Sequence, residues 1–347
     1  MINTGTATPR LDLLGPIYQE GMPEEAYVAH KILTPMVIQK RIGAIPSFLF
    51  TDAQALSIKH SPKTGFATIQ SKLGQNTYEC KEAGIEEALS FEDYEILSRD
   101  RAWEIITRKL VHTVLRSRDY ALSQAIFSAT GESTFATNLV TASAVWAGGS
   151  SSTGLPLDDV QTAKLKIAKQ TGQPGNAMVI GYEGYVNLCK NAQVRTAVRA
   201  NFGWAGSKGA SAPALEIPTA DLASLFGLDE VIVAPGVVDN NGDGQANKDL
   251  SFIWNAVTAT GTTGYAFVFR KSRNPNDVRE VALGRTFVYD LAATFNQLTT
   301  TQVADSIRGL YLESYPRPDI NADVLRCREY IDMNILLPVA GSLIKGI

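Results

Sequence analysis

The chain is short of the residues that most often carry chemistry. Its 347 residues include three cysteines, Cys80, Cys189 and Cys327. Three are too few and too scattered for a disulfide framework, and their odd number fits a reducing compartment. The three histidines, His30, His60 and His112, stand at no ligand spacing from one another or from a cysteine, so no zinc signature exists. There is no excess of either charge: 32 Lys and Arg against 35 Asp and Glu give a net charge of −3. That excludes a strongly basic grip on nucleic acid as the main activity. No apolar run approaches the ~20 residues of a spanning helix. The apolar stretch Ile335 to Ile347 is broken by Pro338 and Gly341 and reads as a buried strand end. No G-x-S-x-G elbow and no Walker A loop occurs. Residues 1–10 are rich in Thr and Ala without an apolar centre, so no secretory signal is expected there.

What remains is an ordinary globular composition, 45% hydrophobic and 19% charged, with chain enough for about two domains. Residues 1–30 have neither helical nor strand period and contain Gly5, Pro9, Gly15, Pro16, Gly21 and Pro23. They read as an arm, extended or disordered. Its charges are mixed, without the Arg-rich run that neutralises a genome. Residues 42–89 read as a long β excursion, with strand-like Phe66 to Gln70 and Thr77 to Cys80 and an exposed turn region over residues 59–65.

The strongest local pattern follows. Ser90 is placed to cap a helix whose first turn carries Glu92, Asp93 and Glu95. Trp103, Ile106, Leu110 and Val114 form one apolar stripe, and Val111, Leu115, Leu122 and Ile126 a second. Glu104 and Arg108 form an i,i+4 pair, and Gly131 is the expected stop. As one helix from Phe91 to Thr130 it would span ~60 Å. After the flexible joint at residues 148–154 the pattern becomes α/β. A helix opens at Asp158 and Asp159 and closes at Gly172, and Ala177 to Ile180 is a strand. Tyr182 to Ala200 is one helix, Thr219 caps another through Phe226, and Glu230 to Ala234 is a second strand. Further strands are expected near 251–258, 264–270, 279–289, 307–315 and 324–337.

Three local motifs bear on chemistry. Gly181-Tyr-Glu-Gly184 follows a strand and opens a helix, but it lacks the dinucleotide glycines and reads as a plain turn. Asp239, Asn241 and Asp243 match the first half of a calcium loop. Position twelve, which should be a bidentate acid, is Leu250, and Asp249 comes one residue early. An ordinary turn is therefore expected, with no metal and no cofactor. Glu86 and Glu87 read as a solvated face. Residues 1–30 and 42–89 have no evident place in the chain's own core. Exposed strand edges invite pairing with another chain, which favours a large homo-oligomer.

This order of arm, β ribbon, long helix, α/β insertion and returning strands resembles the major capsid proteins of tailed phages, the Hong Kong 97-like fold. The resemblance is carried by several segments. Thr77-Tyr-Glu-Cys-Lys-Glu82 leads into the long helix, and the strand Asn176 to Gly181 precedes a helix bearing Val186, Leu188 and Asn191. Leu222 to Ala234 forms a helix–strand step, and the ending comprises Val324 to Tyr330 and Leu337 to Ile347. It implies an α+β fold with an N-arm (1–38), an extended loop (39–90), a peripheral domain with the spine helix (91–149 and 305–347) and an axial domain (150–304).

The resemblance also implies a structural, non-enzymatic protein. It would form hexamers and pentamers of an icosahedral head around double-stranded DNA, in the virion, assembled in the host cytoplasm and without membrane contact. A separate scaffolding protein, a portal and, in some members, a cement protein are the implied partners. Lys59, Lys63, Phe66, Glu86, Glu87, Arg317 and Asp319 are the candidate subunit contacts. Arg317 and Asp319 sit on the proline-stiffened loop 315–323, with Glu86 or Glu87 of a neighbour as the expected acid. Lys59, Lys63 or Lys72 and Asn321 stand roughly where some members crosslink; no catalytic acid is identifiable, and no crosslink is expected. Two alternatives stay open: an encapsulin-like compartment of the same fold, and, from another class, an enzyme or calcium-dependent binding module.

Overall fold

The computed structural model describes residues 26–48, 73–90, 99–146, 154–202, 216–240, 249–254, 264–274, 277, 280–289, 302–305 and 309–347. The helices are α1 (Ala29–Ile32), α2 (Arg99–Ile126), α3 (Ala129–Thr134), α4 (Pro156–Thr171), α5 (Tyr182–Lys190), α6 (Ala192–Phe202) and α7 (Thr219–Phe226). The strands in the first half of the chain are β1 (Thr34–Ile38), β2 (Ile42–Phe48), β3 (Leu73–Glu79), β4 (Lys81–Ser90), β5 (Val140–Thr141) and β6 (Ala177–Gly181). Those that follow are β7 (Glu230–Ala234), β8 (Val237–Asp239), β9 (Leu250–Phe252), β10 (Tyr265–Phe269), β11 (Arg285–Tyr289), β12 (Gln302–Asp305), β13 (Leu310–Arg317), β14 (Ala322–Asn334) and β15 (Gly341–Lys345).

Two sheets organise the chain. The six-stranded sheet runs β1-β11-β14-β13-β12, with β4 on the other side of β14. The five-stranded sheet runs β5-β15-β10-β6-β7. β2 with β3, and β8 with β9, form two-stranded ribbons. The helix α2 lies on one face of the six-stranded sheet, where Ile106, Leu110, Val114 and Leu115 pack against Leu89, Leu310, Leu325 and Cys327. Leu122 and Ile126, the end of the second stripe, reach the cluster of the five-stranded sheet instead, and burial along its whole length explains why 28 residues hold together as one helix. The five-stranded sheet is covered on both faces. Val160, Ile167, Leu188, Val194, Leu222 and Phe226 pack on Met178, Ile180, Val231, Ala266 and Val268. Val28, Ile32, Leu33, Leu122, Ile126 and Phe127 belong to the cluster on the other side, with Val179, Phe267 and Phe269. Strands β6 and β10 are accordingly buried at every position, the pattern of a strand with no wet face.

Several sequence expectations hold. Helix α4 ends in Gly172 at φ 74°, a left-handed cap that favours glycine. Arg108 pairs with Glu104 at 2.8 Å. The strands expected at 177–180 and 230–234 are present, and the final strand pair forms a hairpin, β13 with β14.

Other expectations are corrected. Of the arm expected to be extended or disordered over residues 1–30, residues 1–25 lie outside the described residues; its end is instead packed, where Tyr27 and Val28, with Ile32 and Leu33 just beyond, are at most 1% exposed. Their apolar side chains fill the gap beside α2, a partner that a local pattern cannot reveal. The returning limb of the excursion is not uncovered, because β4 pairs with β14 over ten residues, Ser90↔Ala322 to Lys81↔Ile331. The long helix stops at Ile126, not at Gly131, which lies inside α3. There a side chain would meet the Ile126 carbonyl oxygen at 1.9 Å, so the glycine permits the chain to fold back on the helix end. Residues 182–200 are two helices. The Asn191 side chain breaks them, accepting the amides of Gln193 and Val194 and donating to the carbonyls of Trp146 and Gly154. Thr219 begins α7, but Pro218 holds the cap position without a side-chain bond. Of the strand expected at 251–258, residues 251 and 252 lie in β9, 253 and 254 form a turn, and 255–258 lie outside the described residues. The expected start of the helix (91–98), the strand at Phe66 to Gln70 and the loop at 203–213 lie outside the described residues.

Candidate functional site

The β2–β3 ribbon leaves the six-stranded sheet where β4 begins. Cys80 separates β3 from β4 and makes a reciprocal bond with Arg41: its amide donates to the Arg41 carbonyl and its carbonyl accepts from Arg41 Nε, each at 2.9 Å. The Arg41 guanidinium also lies over the Tyr330 ring, 5.8 Å from its centroid. The Tyr78 ring crosses Gly43 and stacks on Phe287 at 4.8 Å. A side chain at Gly43 would strike the Tyr78 hydroxyl at 2.4 Å, so the glycine makes that crossing possible. Asn76 donates to the Leu336 carbonyl, Asn334 to the Thr77 carbonyl, and the Glu79 amide to Asp332. The ribbon is thus seated on its own sheet by bonds from β3. Lys59, Lys63, Phe66 and Lys72 lie outside the described residues.

The sheet face opposite α2 carries a ladder of charges across β4, β14 and β13. Glu82 meets Arg328 at 3.3 Å, and Arg328 meets Glu313 at 2.6 Å. Arg326 bridges Glu313 at 3.4 Å and Glu86 at 2.7 Å. The Tyr315 hydroxyl donates to Glu86 at 3.0 Å, and Arg326 lies over the Tyr315 ring, 4.8 Å from its centroid. The register Glu86↔Arg326 and Arg326↔Glu313 sets these side chains directly opposite one another. Bonds from Arg326 and then Tyr315 hold the Glu86 carboxyl below its ordinary range; Tyr330 and Arg328 do the same for Glu82. Glu87 points to the other face and bonds Lys109 of α2 at 2.9 Å. Both acids named as a neighbour's contact points are therefore engaged within their own chain, Glu86 through the β4–β14 register and Glu87 through the packing of α2 on the sheet. The solvated-face reading was incomplete for the same reason.

Arg317 and Asp319 stand at the end of the β13–β14 hairpin, with Asn321 at φ 51° in the turn. They pair with each other at 2.9 Å and stay 40% and 60% exposed, beside an exposed Ile320. The Arg317 bond lowers the Asp319 pKa. Of the calcium-loop residues, Asn241 and Asp243 lie outside the described residues. Asp239 closes a hairpin, pairing in register with Leu250 and accepting the Asp249 amide at 3.1 Å. Among the described residues no cluster of His, Cys, Asp and Glu is arranged to hold a metal. Gly181 and Gly184 form a strand-to-helix turn, with Gly184 close against Ile180 and Ile347. The three thiols are buried. Burial pushes Cys80 and Cys327 up to about 11, far from a reactive thiolate.

No family model and no curated protein matches the sequence. Solved structures match it along nearly its whole length. A phage-related protein of Bordetella bronchiseptica RB50 is 18% identical, with 94% of each chain covered and a TM-score of 0.60. The capsid structure of the cyanophage P-SCSP1u is 12% identical, covering 90% of this chain and 85% of that one, at a TM-score of 0.51. This chain has the fold of a capsid-shell subunit. The holo-SrpI encapsulin complex of Synechococcus elongatus PCC 7942 shares that capsid-shell fold at 11% identity, with 94% and 88% coverage and a TM-score of 0.50. The chain combines helices with two sheets, and the α+β expectation holds. No described helix is long and apolar enough to cross a membrane.

Proposed function

We propose that the chain is the major capsid protein of a tailed phage, assembling with copies of itself into an icosahedral head around double-stranded DNA. The observation that carries this reading is the capsid-shell fold, matched over 90% of the chain by the cyanophage capsid structure at a TM-score of 0.51. The ribbon supports it. A two-stranded ribbon is marginal by itself in water, and neighbouring subunits would supply the cover that its outer surface lacks in one chain. In this reading residues 1–38 are the N-arm and 39–90 the extended loop. Residues 91–149 and 305–347 form the peripheral domain and 150–304 the axial domain, with β4 rooting the loop in the peripheral sheet. The subunit acts by assembly, without a catalytic step or a cofactor. Its partners are other subunits in hexamers and pentamers, a separate scaffolding protein and a portal. It belongs to the virion and assembles in the host cytoplasm.

The test is negative-stain microscopy of the expressed protein, alone and with a scaffold. Capsomers, shells or tubes are expected; a stable monomer at every concentration would sink the reading. The likeness to an encapsulin favours a second reading, a compartment around protein cargo. Shells that form readily without a scaffold and co-purify with one host enzyme would decide for it.

A further inference from the structure

Asp119 sits where α2 changes partners. On its N-terminal side Leu110, Val114 and Leu115 pack on the six-stranded sheet. On its C-terminal side Leu122 and Ile126 join the cluster on the five-stranded sheet. Asp119 itself has no exposed surface, and a buried charge is costly unless it is fully hydrogen-bonded. Its donors come from two remote pieces of chain. The Val28 amide reaches its two oxygens at 3.0 and 3.1 Å, and the Ala29 amide reaches Oδ1 at 2.7 Å. The Trp254 indole N–H reaches Oδ2 at 3.3 Å. The two amides open α1, whose preceding residue, Val28, offers no side-chain cap. Trp254, 1% exposed, follows β9 and packs edge-on to Phe127 just beyond the end of α2. Burial raises the Asp119 pKa, and the Val28, Ala29 and Trp254 donors oppose that rise.

We propose that Asp119 is a coupling residue that makes the docking of residues 26–33 and the seating of Trp254 one event, so that loosening either loosens the other. One carboxylate serves both sides, and its neighbour Arg118 ties the same helical turn to Glu329 of β14 at 2.6 Å. The helix turn is thereby fixed to the six-stranded sheet while its next residue holds the N-terminal segment and the tryptophan. A displacement of the N-terminal segment is then delivered to the junction between the two sheets. The coupling is a property of the single subunit, so its failure would leave the capsid reading standing, and the reverse.

The experiment uses full-length subunits kept unassembled. Trypsin cleavage after Lys31, which needs local opening of the segment, is followed by mass spectrometry. Trp254 emission is read as the difference between each protein and its Trp254→Phe partner. Asp119→Asn places an amide N–H against N–H donors; cleavage after Lys31 should accelerate by about tenfold or more, and Trp254 emission should shift to the red. Trp254→Phe removes only the weaker limb and should accelerate the same cleavage by about two- to fivefold. Val268→Ala, in the core of β10, is chosen to lower the melting temperature comparably and should leave that cleavage near the wild-type rate. Cleavage after Lys31 that is unchanged in Trp254→Phe, or that rises equally in Val268→Ala, overturns the coupling. Should Asp119→Asn fail to fold, the Trp254→Phe and Val268→Ala pair decides alone.

Discussion

The Arg118–Glu329 pair offers a test of how α2 is fixed to its sheet. The two groups meet at 2.6 Å with side chains only 8% and 13% exposed. Removing one partner strands a desolvated charge against the core formed by Leu115 and Cys327. Glu329→Leu or Arg118→Met should therefore cost about 3–5 kcal/mol. The double variant Arg118→Met with Glu329→Leu removes both charges and refills the volume with apolar atoms. It should lie within about 1 kcal/mol of wild type or above it, because the desolvation cost of both ions is relieved together. Urea unfolding of unassembled subunits, followed by far-ultraviolet circular dichroism, gives the four corners of the cycle. The coupling should be large, and the sign of the double variant is the decisive part. A double variant as unstable as either single one, or single variants costing under about 1 kcal/mol, would refute the account, since the pair would then behave as an exposed one.

Gly131→Ala sets a methyl group against the Ile126 carbonyl and should lower subunit stability by at least ~2 kcal/mol in the same assay, with little loss of helix signal. The acid limb of stability should come from Glu82, Glu86, Asp229 and Asp319, whose folded pKa values are all depressed. Their contribution is present above the ordinary carboxylate range and lost as pH falls through the folded values, so Glu82→Gln with Glu86→Gln should flatten the decline below pH ~4.5. Asp119 and Asp159, raised by burial, act with the opposite sign. Ellman's reagent at pH 8 should leave Cys80 and Cys327 unmodified in folded subunits and modify them after denaturation; rapid reaction of the native protein would contradict their burial. Arg317→Ala should weaken shells to heat and denaturant while the subunit's own melting stays unchanged, with Arg317→Lys rescuing in part because it lacks the bidentate fork. Normal shells from Arg317→Ala would remove this hairpin from the contacts between capsomers.

The elements legible in the sequence were those whose signals are local. The stripes through Ile106 and Leu122, the Gly172 cap and the apolar run at Ala177 each dictate their structure within a few turns of chain. Long-range partnership was not legible. Nothing in Lys81 to Ser90 announces that β14 will take it, and nothing in Tyr27 to Leu33 announces a seat beside α2. The candidate contacts suffered from the same limit. Glu86 and Glu87 read as exposed acids because Arg326 and Lys109 stand 240 and 22 residues away in the chain. Breaks were also hard to foresee. Asn191 interrupts a good helical pattern because its side chain serves the carbonyls of Trp146 and Gly154, and Gly131 sits past a helix end set by the return of the backbone.

Both sheets are closed by a strand that follows its partners in the chain. β14 joins β4, β11 and β13, and β15 lies between β5 and β10. During synthesis the earlier strands emerge at about 5–20 residues per second and must wait for those two, with α2 and its apolar stripes already made. Contacts this far apart in sequence form slowly. Until β14 and its neighbours close, the apolar stripes of α2 lack their cover, which makes this helix the stretch of the folding chain most prone to stick to others.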